Sequence, residues 1–508
     1  MPAVRFYVTT PIYYVNATPH VGHAYTTIAA DVLARHHRQR GDETFFLSGT
    51  DEHGTNIPRV AAEAGFDVQE FVDRNAAAFR EMTERINASN DFFIRTTDPR
   101  HEAAVQEFVQ RIYDAGSIYE GVYSGLYCPR CEAFYTEAEL VDGKCPVHRI
   151  VPDRVEEKNW FFRLSAFQDR LLALYDANPE LVLPRFRYNE ARSFIEQGLE
   201  DISVSRASER WGVPVPWDPE QTVYVWVDAL INYWSALAFA REGEDLRGDL
   251  WPEVRHMLAK DILKFHCVIW PALLLAAGLD VPKQLFVHGY LLFDERKMSK
   301  SEGNVIDPLQ LIDVYGADPV RFYLLREVQF GHDGSVSIDG VHERYERELG
   351  NDLGNLLSRT TAMIARYREG SLPEVSSSGS ADGLAGLGAD VAQLLDAFDV
   401  TGALERIWKE VRALNALVEE RKPWELAKDD SRAPELDATL YELADGLRAV
   451  AIALSSYLPE SAPRILEALN QPGDLAWAGV APGQAVAVGG IDPADPLFPR
   501  VDSPTPAA

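Results

Sequence analysis

Phe6-Tyr7-Val8-Thr9-Thr10, the turn that ends in His20-Val21-Gly22-His23, and Thr44-Phe45-Phe46-Leu47-Ser48 decide the fold of this 508-residue chain. The first and last of these stretches read as buried strands. Between them, His23 to Arg40 carries Ala24, Ile28, Val32 and Leu33 at helical spacing before Gly41 stops the run. Strand, helix and strand in that succession form a right-handed parallel unit, and such sheets bind ligands at the carboxyl ends of their strands. Those ends are Pro11-Ile12-Tyr13-Tyr14 and Gly49-Thr50-Asp51-Glu52-His53-Gly54.

Further along, the stretch from Gly116 to Trp217 holds a cysteine cluster and Pro-rich turns and reads as an insertion. The sheet pattern resumes at Thr222-Val223-Tyr224-Val225-Trp226-Val227 and at Leu285-Phe286-Val287-His288. Val268 to Ala277 is apolar but too short to span a bilayer, and reads as a buried helix. After Asp318 the pattern turns helical and stays so. Leu349, Leu353, Leu356, Leu357, Leu404, Ile407, Val411 and Leu414 recur at three- and four-residue steps, as in a helix bundle. The Ser- and Gly-rich stretch Ser371–Gly388 reads as a loop between helices, and Ala478–Ala508 as an extended tail over the fold. The expected class is α/β: a Rossmann-like parallel sheet split by a zinc-binding insertion, followed by an all-α bundle. The expected divisions are 1–115 and 218–320 for the two halves of the sheet domain, 116–217 for the insertion, 321–348 for a linking segment, 349–475 for the bundle and 476–508 for the tail.

A net charge of −29 argues against general nucleic-acid binding, which rests on Lys and Arg neutralising phosphates. From Ser371 onward there are 10 Lys or Arg against 22 Asp or Glu, a net of −12. Any RNA contact there has to be selective and geometric. The N-terminus lacks a secretory pattern, and four cysteines make no disulfide framework, so a cytoplasmic setting is expected.

Three of those cysteines fall in Cys128-Pro129-Arg130-Cys131 and Cys145-Pro146-Val147-His148. Two pairs with the same short spacing, separated by a small loop, make a Cys3His zinc pattern with four tetrahedral ligands and no open position. Such a closed site is structural. Paired spacing weighs against the alternative of a disulfide or free thiols.

His20 and His23 flank Gly22 where the first strand turns into the first helix, and helix N-termini bind anions. In Lys297-Met298-Ser299-Lys300-Ser301, between Gly289 and Gly303, two ammonium groups on a loop after a strand can clamp a polyphosphate as charge develops on it. Each motif alone has a plain structural reading, as a surface histidine pair or a solvated basic loop. Together on one sheet they name nucleotide chemistry. No Gly-x-x-x-x-Gly-Lys-Ser/Thr loop is present.

The two motifs resemble the signatures of class I aminoacyl-tRNA synthetases, and the whole chain resembles the bacterial methionyl-tRNA synthetase family. Thr10 to Asn16, Tyr224 to Tyr233 and Lys260 to Pro271 carry the resemblance in residue type and spacing. It implies catalytic roles for His20, His23, Lys297 and Lys300, and ATP contacts from these with Gly22, Asp261, His288 and Gly289. It implies a methionine pocket of Ile12, Tyr14, Trp226, Ala229, Leu230, Tyr233, Phe265, His266 and Trp270, with Asp51 holding the ammonium and Arg206 nearby. A thioether is soft and apolar and suits aromatic walls. One methylene discriminates by only about 1–3 kcal/mol, so homocysteine is hard to reject by binding alone. No insert here is large enough for a separate editing domain. The resemblance also implies a zinc knuckle near the approach of the tRNA acceptor end, stem contacts in 321–348, magnesium with ATP, and initiator and elongator methionine tRNA as partners.

Asn355 and Arg359, four apart on one helix face, and an exposed Trp424 match the family's anticodon-reading positions. The chain lacks the C-terminal oligonucleotide-binding domain that makes some relatives dimers, so a monomer is expected. The alternatives are another class I synthetase, such as cysteinyl or leucyl, a nucleotidyltransferase that never meets tRNA, and a zinc-dependent RNA-binding module.

Overall fold

Alternate residues of β1 (Arg5–Thr9) enter two different cores, because side chains of a strand point alternately to its two faces. Phe6 and Val8 join one apolar cluster, and Tyr7 joins the other. Phe46 parts from Phe45 and Leu47 in the same way. Burial on both faces is the mark of a parallel sheet covered by helices. The computed structural model describes residues 4–129, 133–135, 137–147, 149–207, 209–293, 296–297, 306–375 and 384–502.

The sheet has seven strands. Besides β1 they are β2 (Tyr13–Tyr14), β3 (Glu43–Asp51), β4 (Phe92–Arg95), β5 (Val182–Leu183), β6 (Val254–Ala259) and β7 (Gln284–His288). The order is β2-β3-β1-β6-β7-β5, with β4 also on β3. All pairings are parallel. Helix α1 (Val21–Gln39) crosses from β1 to β3 as read from the sequence, and it is buried along most of its length. It lies on one face with the helix Ala317–Glu327 and the helices that follow, so a single continuous core joins that face of the sheet to the helical half. Helices α2 (Pro99–Asp114) and α3 (Val225–Ser235) cover the other face.

Four expectations change. Thr222–Val227 is not a strand of this sheet: Asp218–Val223 belongs to a small antiparallel sheet with Ser205–Arg206 and Pro214–Val215, and α3 begins at Val225. The strand that sits beside β1 is β6, whose Arg255 and His256 interrupt its apolar pattern. β5 falls inside the stretch read as an insertion yet completes the sheet edge beside β7. Gly334–Val336 pairs with Leu291–Phe293 within the region read as helical throughout, and the helix Leu384–Asp396 takes in the end of the Ser371–Gly388 loop. From Ile338 on, the named elements among the described residues are helical. Ile491, Leu497 and Phe498 of the C-terminal segment pack in the same continuous core.

Candidate active site

At the start of α1 the backbone decides what the two histidines can offer. His20 caps the helix in an extended conformation, and its Nδ1 accepts the N–H of Gly22 at 3.0 Å. Nδ1 of His23 accepts the N–H of His20 at 3.1 Å. This is a capping box in which imidazoles stand for the usual Ser and Glu. Because backbone N–H groups only donate, each Nδ1 is unprotonated, and the ring proton of each neutral imidazole sits on Nε2. The rings stack 3.8 Å apart. Tyr13 backs His23 at 4.8 Å between ring centroids and donates to Thr27 or to the His23 carbonyl. A Cβ on Gly22 would lie 2.8 Å from His20 Cε1, so glycine is required by the imidazole itself.

Lys297 ends the strand Arg296–Lys297, which pairs with Leu291–Phe293, and only its backbone is described; Lys300 lies outside the described residues. Where the chain is next described, the carbonyl of Ile306 accepts the N–H of Val21 at 3.1 Å. Ile306, the first described residue after the motif, is thus held at the helix start between His20 and Gly22. His288, the last residue of β7, bonds Thr26 of α1 through Nε2 at 2.8 Å. Its Nδ1 faces the Gly289 carbonyl at 2.7 Å, and burial pushes its pKa down to about 4. Asp261 is exposed on the turn after β6, near enough to His288 for its charge to act on the ring. Gly289 has no room for a side chain, since a Cβ would lie 2.3 Å from the His332 backbone.

A second wall forms along α3. Trp226, Ala229, Leu230 and Tyr233 recur at the spacing of one helix face, with Trp226 half-buried and stacked on Phe265 at 3.9 Å. Phe265 and His266 lie on a π-helical turn, a local widening often found at functional positions. His266 Nδ1 faces the Ile262 carbonyl at 3.1 Å and so carries the proton, which leaves Nε2 to accept the Tyr233 hydroxyl at 2.8 Å. Burial lowers His266 to about 4 and raises Tyr233, so both are uncharged at neutral pH. Trp270 has no exposed surface. It packs against Phe108, Trp251 and Tyr233, and its indole donates to His256 Nε2 at 3.3 Å. His256 therefore donates from Nδ1 to Thr9 at 2.9 Å. Trp270 stands behind Tyr233 as support, whereas the sequence reading set it around the ligand.

Asp51 closes β3 in register with Tyr14, and its charge is felt by Tyr233. Ile12 and Tyr14 are half-buried at the same strand ends. Arg206 is buried on Ser205–Arg206, donating to the Ser205 carbonyl at 2.7 Å and lying 3.9 Å over the Tyr224 ring. Sequence reasoning missed His256, His101 and Asp228, all buried. His256 could have been found as a polar residue inside an apolar strand and Asp228 as the one charge in the apolar run Val225–Ser235; His101 had no such signal.

Cys128 ends the strand Ile118–Cys128, and Cys145 sits in a turn where its N–H donates to the Ile150 carbonyl at 2.9 Å. Both are fully buried. Cys131 and His148 lie outside the described residues, and no cluster of three metal-type side chains occurs among the described ones. Asn355 and Arg359 share the helix Asn355–Arg368, with Asn355 exposed and Arg359 paired to Glu419 at 2.8 Å. The Arg359 guanidinium lies 5.9 Å from the Trp424 ring, but Trp424 is half-buried against the core, contrary to the exposed position read from the sequence.

A parallel sheet whose strand ends carry an imidazole pair at a helix start and an uncharged aromatic wall fits the class I synthetase arrangement. A family model described as tRNA synthetases class I (M) matches residues 6–154 and 151–361. The methionine--tRNA ligase of Caldanaerobacter subterraneus is 44% identical over 503 residues, covering 98% of this chain and 79% of that protein. That of Streptomyces coelicolor is 41% identical over 537 residues, covering 100% and 98%. The methionyl-tRNA synthetase of Mycobacterium tuberculosis in complex with methionyl-adenylate superimposes with a TM-score of 0.92 at 41% identity, over 98% of this chain and all of that one. The chain belongs to the methionine--tRNA ligase family of class I aminoacyl-tRNA synthetases.

Proposed function

We propose that this chain activates methionine with ATP and passes the aminoacyl group to methionine tRNA, releasing pyrophosphate and then AMP. The observation that supports the reading is the bond from Val21 to Ile306, which holds the first described residue after the Lys297–Ser301 motif at the helix start that bears His20 and His23. The methionine carboxylate attacks the α-phosphate of ATP. His20 and His23, holding their protons on Nε2, act with Lys297 and Lys300 as fixed donors to the charge that develops. Gly22, Asp261, His288 and Gly289 complete the nucleotide contacts. Positioning and fixed charge suffice, and no protein nucleophile is needed. The 2'-hydroxyl of the terminal adenosine then accepts the aminoacyl group.

Methionine-dependent ATP–pyrophosphate exchange tests the reading. Exchange with leucine or cysteine and none with methionine overturns it. Lys300→Ala is expected to slow exchange by about 10²-fold, the scale of losing one charge-stabilising donor.

The methionine side chain sits against Ile12, Tyr14, Trp226, Ala229, Leu230, Tyr233, Phe265 and His266, with Trp270 behind; Asp51 takes the ammonium and Arg206 lies near it. The uncharged state of Tyr233 and His266 supports this, since an apolar thioether gains nothing from a charged wall. Cys128, Cys131, Cys145 and His148 are assigned a structural zinc; the two described thiols, both fully buried, fit this. Magnesium is assigned to ATP as its counter-ion, and no carboxylate of this chain is assigned to it. Residues 349–475 form the anticodon domain, where Asn355, Arg359 and Trp424 read loop bases. Trp424→Ala is expected to weaken charging of methionine tRNA while methionine activation continues. We further propose a cytoplasmic monomer; no helix among the described residues is long and apolar enough to cross a membrane.

A further inference from the structure

Two faces of α3 do different work. Trp226, Ala229, Leu230 and Tyr233 make one face, and Asp228 and Ser235, two turns apart, project from another. Asp228 is fully buried. Its Oδ2 is 2.7 Å from Nδ1 of His53, and its Oδ1 is 2.8 Å from Nε2 of His101 on α2. The other nitrogen of His101 bonds Ser235 at 2.7 Å, so a single imidazole grips α3 at both turns. Burial alone would raise the Asp228 carboxyl, but His53 and His101 hold it down at about 2. As a carboxylate it can only accept, so His53 donates from Nδ1 and His101 from Nε2.

His53 follows Asp51 by two residues. The residue between them, Glu52, is fixed from the opposite side: Arg95 holds its carboxylate at 2.7 and 2.8 Å, and the Trp211 indole donates to its carbonyl at 2.7 Å. Gly54 then bonds the Trp211 carbonyl at 3.1 Å. The loop at the end of β3 is thus rigid in itself, and the Asp228 link ties it to the helix that bears the aromatic wall. An α-amino acid must satisfy its ammonium and its side chain at once, and the separation between those two subsites measures its length.

We propose that Asp228, with His53 and His101, is the positioning device that sets this separation, by locking the Asp51 loop to α3. The proposal rests on the reading of Asp51 as the ammonium partner and of α3 as the wall for the side chain. Asp228→Asn keeps the shape but turns an N–H toward one of the two donating imidazoles, so one charge-assisted bond is lost.

Pyrophosphate exchange is measured for methionine and for ethionine, one methylene longer, on protein standardised by active-site titration. In Asp228→Asn the KM for methionine is expected to rise about tenfold, by more than kcat falls, and the preference in kcat/KM for methionine over ethionine is expected to shrink. A general loss of stability would lower the active fraction and leave both quantities in place. Asp51→Asn is the companion variant. If it raises the KM for methionine while Asp228→Asn changes neither KM nor preference, the proposal is overturned. If Asp51→Asn itself leaves the KM unchanged, the pocket reading fails, and this inference with it. Should Asp228→Asn not accumulate folded, His53→Gln is assayed in its place with the same expected result, and an unaltered KM and preference there overturn the proposal.

Discussion

Gly22 shows how far a single residue was legible. The sequence placed a glycine between two histidines at a helix start, and the resemblance implied an ATP contact there. The structure adds that a Cβ at this position would meet His20 at 2.8 and 2.9 Å and push away the ring whose Nδ1 accepts the Gly22 N–H. Gly22→Ala separates activity from stability. Alanine favours the helix over glycine by up to about 1 kcal/mol, but displacing the His20 cap costs about as much, so thermal unfolding should change little, while the exchange rate should fall by about 10²-fold as His20 loses its orientation. A variant that exchanges pyrophosphate at the parent rate would show that the tautomer fixed by this bond does not matter. The histidine motif was legible because its spacing is local. Asp228 stands out as the one charge in the apolar run Val225–Ser235, but its role was not legible, because its partner His101 lies 127 residues away.

Among the elements, α1 and β3 could be read from the sequence because one residue type dominates each period, whereas β6 was lost to Arg255 and His256 on an otherwise apolar strand. Both exceptions have partners: His256 serves Trp270 and Thr9, and Arg255 lies 4.8 Å over the Phe6 ring. α1 also shows how an element carries the site beyond its own length. Halfway along it, buried Asp31 pairs with buried Arg321 at 2.7 Å, and Arg321 donates to the carbonyls of Tyr457, Ser456 and Ile86 at 2.9, 2.7 and 3.1 Å. The helix that holds His20 and His23 is thereby bolted to the helical half. Burial would raise Asp31, but Arg321 and Arg35 outweigh it and lower its pKa, so the unfolded chain binds this proton first as the pH falls. Its contribution to stability is therefore complete above about pH 4 and is lost below it. Arg321→Met leaves Asp31 short of its main counter-charge in the interior and is expected to cost about 3–5 kcal/mol, read by denaturant unfolding at pH 7. A loss under about 1 kcal/mol would mean that the backbone carbonyls, and not the ion pair, hold this junction.

For the molecule as a whole, the buried histidines outweigh the acidic composition in setting the acid limit. Burial lowers His36 and His37 to about 3, and His266 and His288 to about 4. Each titrates near 6.5 once unfolded. The unfolded chain therefore takes up protons that the folded one refuses, and stability that is complete above about pH 6.5 is lost as the pH falls toward 4. His53 runs the other way: burial would lower it, but Asp228 raises it, so its contribution is present at low pH and is lost as the pH climbs through its folded value. Burial lowers His256 as well, and of these five histidines His36 is one that no proposed chemistry uses. It sits near the end of α1, where Trp477 of the C-terminal segment meets its ring edge-on at 4.4 Å, and neither ring nitrogen has a protein partner among the described residues. His36→Phe keeps the aromatic contact and removes two polar atoms from an apolar site, so it should add about 1–2 kcal/mol at pH 7. It should also remove nearly one proton from the uptake on unfolding at pH 5, flattening the loss of stability by about 1.4 kcal/mol per pH unit. Denaturant unfolding of both proteins at pH 5, 6 and 7 decides it: parallel pH curves would mean that His36 is already charged in the folded chain, and that the other four carry the acid sensitivity.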